Sequence, residues 1–237
     1  YVNIKKYDSL KINVSAKLKV KLGSIDVAIC NPPYLKIKER KKYKKLFAKA
    51  GMSGCMKLKQ LSSEVVFFAH NITLLRNEGE LGIIVSDTLI TGKDYKLFRQ
   101  LILKEFDIKK VIQLPDKIFK KTEARTHILL LNKVKSTSST CTLVLANEKG
   151  AFLKSLEVSK ESLIERMDFH FWNYSLKRKG RYTTLKQLGT EIKRGNYSYQ
   201  VLREGRYPYV HSTSFSDEPR ILGNKVRLPQ KYRQFAS

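Results

Sequence analysis

An apolar run, Ile25-Asp26-Val27-Ala28-Ile29-Cys30, stops abruptly at Asn31-Pro32-Pro33-Tyr34. No other stretch restricts the fold as tightly. The run has the length and composition of a buried strand. Pro33 fixes its own φ and confines Pro32 to extended conformations. The main chain therefore leaves the strand stiffly, holding the Asn31 amide and the Pro32 carbonyl in place with Tyr34 just beyond. In an open α/β sheet ligands bind at the carboxyl ends of the strands, and this loop would sit there. The same four residues also suit a plain rigid turn capped by Asn31, so the tetrapeptide alone does not decide between a site and a turn.

Helices and strands alternate downstream. Residues 62–76 predict a helix with Val65, Val66, Phe68, Ala69, Ile72, Leu74 and Leu75 on its apolar face, capped by Ser62 or Ser63 and ended by Asn77-Glu78-Gly79. Residues 81–86 predict a short strand, with Asp87 and Thr88 at its carboxyl end near the expected site. A helix follows over 93–104 with Leu97, Leu101 and Ile102 inward, then strands over 108–114, 126–132 and 141–146. Residues 135–140 read as a polar hairpin or linker, and a helix is expected around 160–166. Trp172 among Phe169, Phe171 and Tyr174 reads as a packed junction. His70, inside the first helix, reads as a packed or surface histidine rather than a catalyst.

The chain carries 47 basic against 21 acidic residues, a net charge of +26 over 237 residues. Such a field favours polyanions and makes nucleic acid the natural partner, although lysine scattered through a whole chain produces the same total without one. The density peaks just after Tyr34, at Lys36, Lys38, Arg40, Lys41, Lys42, Lys44 and Lys45, with Tyr43 and Phe47 between them. This segment could grip phosphates, or be a solvated loop that orders only on nucleic acid. Cys30, Cys55 and Cys141 are isolated, so no metal site is expected, and a reducing, cytoplasmic compartment is the simplest. No secretory signal, internal repeat or apolar stretch long enough to cross a membrane is present.

The run from Ile25 to Tyr34 resembles the catalytic motif of amino-methyltransferases that use S-adenosylmethionine, especially the N6-adenine DNA methyltransferases. The resemblance implies that Asn31 and the carbonyl of Pro32 accept hydrogen bonds from the target amino group, that Pro33 stiffens the loop, and that Tyr34 stacks on a base flipped out of double-stranded DNA. The sequence from strand 108–114 through Phe119 to Thr126-His127-Ile128-Leu129 is similar to the end of the methyltransferase domain in type I modification subunits. It implies Phe119 as a second aromatic wall. The basic segment would then hold phosphates beside the flipped nucleotide. In this family an acidic residue after the third strand often contacts the adenine of the cofactor; Asp8 is the candidate, with Asn31 on the same side, and a turn or cap Asp is an equally open reading.

The resemblance also implies an α/β, Rossmann-like methyltransferase sheet, mostly parallel with an antiparallel edge strand. The family's Gly-rich cofactor loop and the acidic residue after its second strand are not found in this sequence. The chain therefore reads as a C-terminal fragment, inactive alone, whose incomplete sheet exposes an apolar edge and face. Residues 1–150 are expected to be the catalytic part and 151–180 a connection. Residues 181–237, with Thr184-Leu185-Lys186-Gln187-Leu188-Gly189 and Ile192-Lys193-Arg194-Gly195, resemble the opening of a target-recognition domain. There Arg194 and Arg206 are the expected DNA contacts. Implied partners are double-stranded DNA and a specificity subunit or the missing N-terminal half, in a restriction-modification or related defence system. Methyltransferases acting on protein glutamine or on RNA carry the same Asn-Pro-Pro-Tyr, and a DNA-binding remnant or split subunit stays open as well.

Overall fold

In the computed structural model the described residues are 4, 6–10, 14–116, 118–119, 125–177, 187, 221–222 and 225–226. The chain divides into two units, residues 1–179 and 180–237. Of the second, residue 187 and a short antiparallel pair, Ile221–Leu222 with Lys225–Val226, are described. The expected DNA contacts Arg194 and Arg206 lie outside the described residues.

The first unit opens with α1 (Val14–Leu18) and β1 (Ile25–Cys30). Two short strands, β2 (Lys36–Ile37) and β3 (Leu61–Ser62), flank α2 (Lys44–Lys49). Then come α3 (Ser63–Leu74), β4 (Leu75–Ser86), α4 (Asp87–Thr91), α5 (Lys96–Glu105) and β5 (Asp107–Gln113). The unit ends with β6 (Thr126–Asn132), β7 (Thr140–Ala146), β8 (Phe152–Ser159), α6 (Lys160–Leu163) and α7 (Phe169–Lys177).

Six strands form one sheet in the order β1-β4-β6-β5-β7-β8. β1 runs parallel to β4, and β5 parallel to β7. β6 is antiparallel to both β4 and β5, and β8 is antiparallel to β7. Four strands thus point one way and two the other. The antiparallel edge is present as β8, and a second antiparallel strand lies inside the sheet. The crossover through α4 and α5 sets β5 one strand-width away from β4, and β6 fills the gap. Arriving from the carboxyl end of β5, it has to run backwards. The sheet continues to Ser159, past residue 150, and β8 was not anticipated from the sequence.

Alternation along β4 and β6 sends Leu81, Ile83, Val85, Leu129 and Leu131 into one core, under α2, α3 and α5. Phe68 of α3 meets Phe98 of α5 edge-on at 5.4 Å and Phe106 at 5.8 Å. The opposite face gathers a smaller cluster, Ile112, Val144 and Ala146, with Leu114, Ile128 and Leu130 only partly covered.

Several expectations change. The strand 25–30 is not buried: it is the sheet edge, with Val27 55% and Ile29 89% exposed. It lacks a neighbour on one side among the described residues, which agrees with an exposed apolar edge. The first helix ends at Leu74 rather than at 76, and the chain turns directly into β4. Glu78 there adopts φ 64°, and Gly79 packs so close to β1 that a Cβ would lie 3.1 Å from the Asp26 carbonyl oxygen. The second helix begins with a 3₁₀ turn, Lys93–Tyr95, and buries Phe98, Arg99, Ile102 and Leu103, whereas Leu97 and Leu101 are only partly covered. The helix expected over 160–166 shortens to α6. Trp172 packs partly against the core and its indole N–H donates to the Arg166 carbonyl at 2.9 Å, but Phe171 and Tyr174 are exposed.

The basic segment is folded. Tyr43 and Phe47 are buried core residues, the Tyr43 hydroxyl donating to the Leu10 carbonyl at 3.1 Å. Tyr43, Phe47 and Ala50, four and three positions apart, turn inward here and the lysines are left on the surface.

Candidate active site

The parallel register of β1 and β4, with Cys30 opposite Ile83, brings both carboxyl ends together. The Asn31–Tyr34 loop leaves one end, and Ser86-Asp87-Thr88 leaves the other. Between them lies a cleft of about 660 Å³ lined by Tyr34, Lys36, Ser62, Glu64, Ser86, Thr88, Gly92 and Tyr95, among others. A volume in this range suits a small-molecule or nucleobase ligand.

Pro32 is buried, while Asn31 and Pro33 are exposed and Tyr34 is 38% exposed. The loop is tied to the first turn of α3. The Ser63 hydroxyl donates to the Pro33 carbonyl and accepts from the Leu35 N–H at 2.9 Å; the Ser63 N–H donates to the Leu35 carbonyl at 2.8 Å. Among the described residues no hydrogen bond occupies the Asn31 carboxamide or the Pro32 carbonyl. These two acceptors come from consecutive residues at the strand end, just before a carbonyl that is already used.

Glu64, the next residue of α3, is buried and accepts from the Ser86 N–H at 2.6 Å and from its hydroxyl at 3.2 Å. Burial raises its carboxyl above the ordinary range, and the Ser86 bonds pull it back in part. Burial, and then the nearby Glu64, push the Tyr34 phenol up to about 12, so its ring is neutral at any working pH. Ser63 was read from the sequence only as a possible helix cap, and Glu64 and Tyr95 were not singled out. The only available signal was the placing of two serines and an acid at a helix start, which reads equally well as capping.

The remaining candidates scatter. Thr88 lines the cleft, as expected of a residue at that strand end. Phe119 is half-buried and does not line it; the second aromatic of the cleft is Tyr95. Asp8 accepts from the Leu10 N–H at 3.0 Å, a local turn, and lines a separate hollow of about 330 Å³ with Lys36, Lys38, Lys42 and Tyr43. Lys36 borders both spaces. Lys38, Lys41, Lys44 and Lys45 are exposed. Arg40 is otherwise engaged, its guanidinium donating to the carbonyls of Leu58, at 2.5 Å, and Lys59. Lys42 is exposed, pairs with Glu39 at 3.4 Å and lies over the Tyr43 ring. His70 lies on a different, mainly apolar hollow of about 180 Å³ and takes no part in the cleft. Among the described residues no cluster of three or more acidic, histidine or cysteine side chains could hold a metal, and no helix is long and apolar enough to cross a membrane.

A sequence model of the family described as N-6 DNA Methylase matches residues 2–206. A protein of Methanocaldococcus jannaschii, named as a type II restriction enzyme and methyltransferase, is 29% identical over 149 residues, covering 62% of this chain and 12% of its own length. The type II methyltransferase M.BsuBI of Bacillus subtilis is 34% identical over 98 residues, covering 40% of this chain and 18% of its own. This chain thus spans under a fifth of the length of either relative. Among solved structures, that of the type IIG restriction endonuclease BpuSI matches 63% of this chain and 21% of its own with a TM-score of 0.51 at 14% identity, a likeness of fold.

Proposed function

The chain belongs to the N-6 DNA methylase family, and on that premise we propose that the protein containing it transfers a methyl group to the N6 atom of adenine in DNA, within a restriction-modification system. One observation carries the reading: the loop bearing Asn31 and Pro32, neither of which lines the cleft itself, runs directly into Tyr34, which lines a ligand-sized cleft at the strand ends. Two acceptors aimed at one amino group bind both of its protons and turn its nitrogen lone pair outwards. Their value is orientation and a preorganised field, present before the base arrives. Pro32 and Pro33 remove the backbone freedom that would blur that aim. Tyr34, neutral and partly exposed, offers its face to an extruded base; such stacking contributes about 1–3 kcal/mol. The exposed lysines 36, 38, 41, 42, 44 and 45 lie on the segment that follows, where phosphates flanking that base would pass.

The methyl donor implied is S-adenosylmethionine, which when bound supplies an electrophilic methyl. The described residues fit it in part. Asp8, which accepts from the Leu10 N–H, lines a hollow where Lys36, Lys38 and Lys42, the last paired with Glu39, leave a basic balance that suits an anion better than a sulfonium. No step is therefore assigned to residues holding it.

The test is methyl transfer to duplex DNA by the full-length protein, with RNA and a glutamine-containing protein as competing acceptors. Asn31→Ala should lower the rate by roughly a hundredfold or more while leaving DNA affinity within about threefold, since it removes one preorganised acceptor. Near-normal turnover by that variant, or transfer to RNA or protein alone, refutes the assignment.

A further inference from the structure

The fixed point of the Asn-Pro-Pro-Tyr loop is a residue outside the motif. Ser63 is fully buried at the start of α3. Its hydroxyl acts in both directions, donating to the Pro33 carbonyl and accepting from the Leu35 N–H, while its own N–H donates to the Leu35 carbonyl. The peptide groups immediately before and after Tyr34 are thus held by one side chain. Tyr34 has no hydrogen bond of its own among the described residues, so these ties define the backbone from which its ring projects. The pairing of β2 with β3, Lys36 opposite Ser62, continues the attachment downstream. On the same helical turn Glu64 grips Ser86, the other strand end of the cleft. Two consecutive side chains therefore fix both walls to one rigid element.

We propose that Ser63 is a positioning residue that sets the plane of Tyr34 against the extruded base. This rests on the reading of Tyr34 as the stacking residue. A hydroxyl is needed for it: an alanine leaves the Pro33 carbonyl and the Leu35 N–H without this partner, and both flank the stacking residue.

The experiment uses the full-length protein with two DNA duplexes: one with adenine at the target position, on which turnover is measured, and one with 2-aminopurine there, which has no N6 amine and reports by fluorescence that rises on flipping and is quenched by an aromatic stack. Ser63→Ala should lower kcat by roughly tenfold to a hundredfold with the KM for duplex unchanged, and should brighten the bound probe towards the level of Tyr34→Ala. In the Tyr34→Ala background Ser63→Ala should add nothing, because its effect passes through Tyr34. An additive loss in the double variant, or a single variant with wild-type fluorescence, overturns the inference. If Ser63→Ala does not fold, Ser63→Cys, of similar volume but a weak donor, decides: a lowered kcat with brightening supports the role, and wild-type values of both overturn it. Absence of transfer to the adenine duplex by the unaltered protein overturns the functional reading and this inference together. A failure confined to the Ser63 variants overturns the inference alone.

Discussion

His127 sits on β6 directly opposite Val85 of β4, fully buried, with neither ring nitrogen hydrogen-bonded. Its nearest charge is Asp87, 3.7 Å away. Burial holds its pKa down at about 4, against 6.5 for a free imidazole, with Asp168 pulling weakly the other way. The folded state therefore takes up this proton less readily than the unfolded one. Stability is full above pH 6.5 and falls as pH drops from there towards 4, by about 3 kcal/mol in all. Glu64 and Asp87, raised by burial, act in the opposite sense as they protonate and soften the acid end of the fall. His127→Leu should leave stability at pH 8 within about 1 kcal/mol, since no hydrogen bond is lost, and should flatten the fall between pH 6.5 and 4. Urea unfolding midpoints across that range give the answer, and an unchanged slope would contradict it. Nothing in Thr-His-Ile-Leu announced this burial: alternation placed the residue on a face, and only pairing on both sides enclosed it.

Among the elements, α5 carries the least expected device. Arg99 is buried, and its guanidinium donates to four carbonyls: Leu89 at 3.0 Å, Gly92 at 2.9 Å, Ile164 at 3.0 Å and Glu165 at 2.7 Å. Burial lowers its pKa to about 10, which leaves it charged at neutral pH. The planar fork suits several acceptors at once. It joins the end of α4, where Gly92 borders the cleft, to the segment after α6. Arg99→Met fills much of the same space but leaves those carbonyls without their donor. It should cost about 2–5 kcal/mol, since several part-buried carbonyls lose a donor at about 1–3 kcal/mol each and some regain water. Chemical denaturation measures this directly; a loss under 1 kcal/mol would show that the carbonyls find other partners. The sequence around Arg99 does not announce this role, because two of the four acceptors, Ile164 and Glu165, lie 65 and 66 residues further along the chain.

For the molecule as a whole, the charge of +26 leaves few acidic side chains to neutralise the lysines around the loop. If the family reading holds, DNA binding is steep in salt. Replacing Lys41, Lys44 and Lys45 with glutamine should flatten the slope of log affinity against log salt by about 2–3 units. Thermal stability should be unaffected, since all three side chains are exposed. A slope unchanged within error places the DNA elsewhere. The edge of β1, with Val27 and Ile29 exposed, is the other whole-molecule feature: paired with β4 on one side and open on the other among the described residues, it is a surface for strand addition or association.

What the sequence determined by itself was local. The period of two over 126–132 matches β6 residue for residue, and the apolar run ending in Pro-Pro marks β1 and its loop, because side-chain alternation and proline's φ are properties of neighbouring residues. The amphipathic spacing of 62–76 found α3 to within two residues of its end. Tertiary structure decided what depends on partners far along the chain. It inserted β6 between β4 and β5, and it left β1 at the edge. It folded Tyr43 and Phe47 inward from a segment that read as a basic loop, gave the cleft Tyr95 where Phe119 was expected, and used Ser63 and Glu64 to clamp two strand ends. Hydrogen-bond partners and burial are set by which segments meet, and no local pattern encodes that meeting.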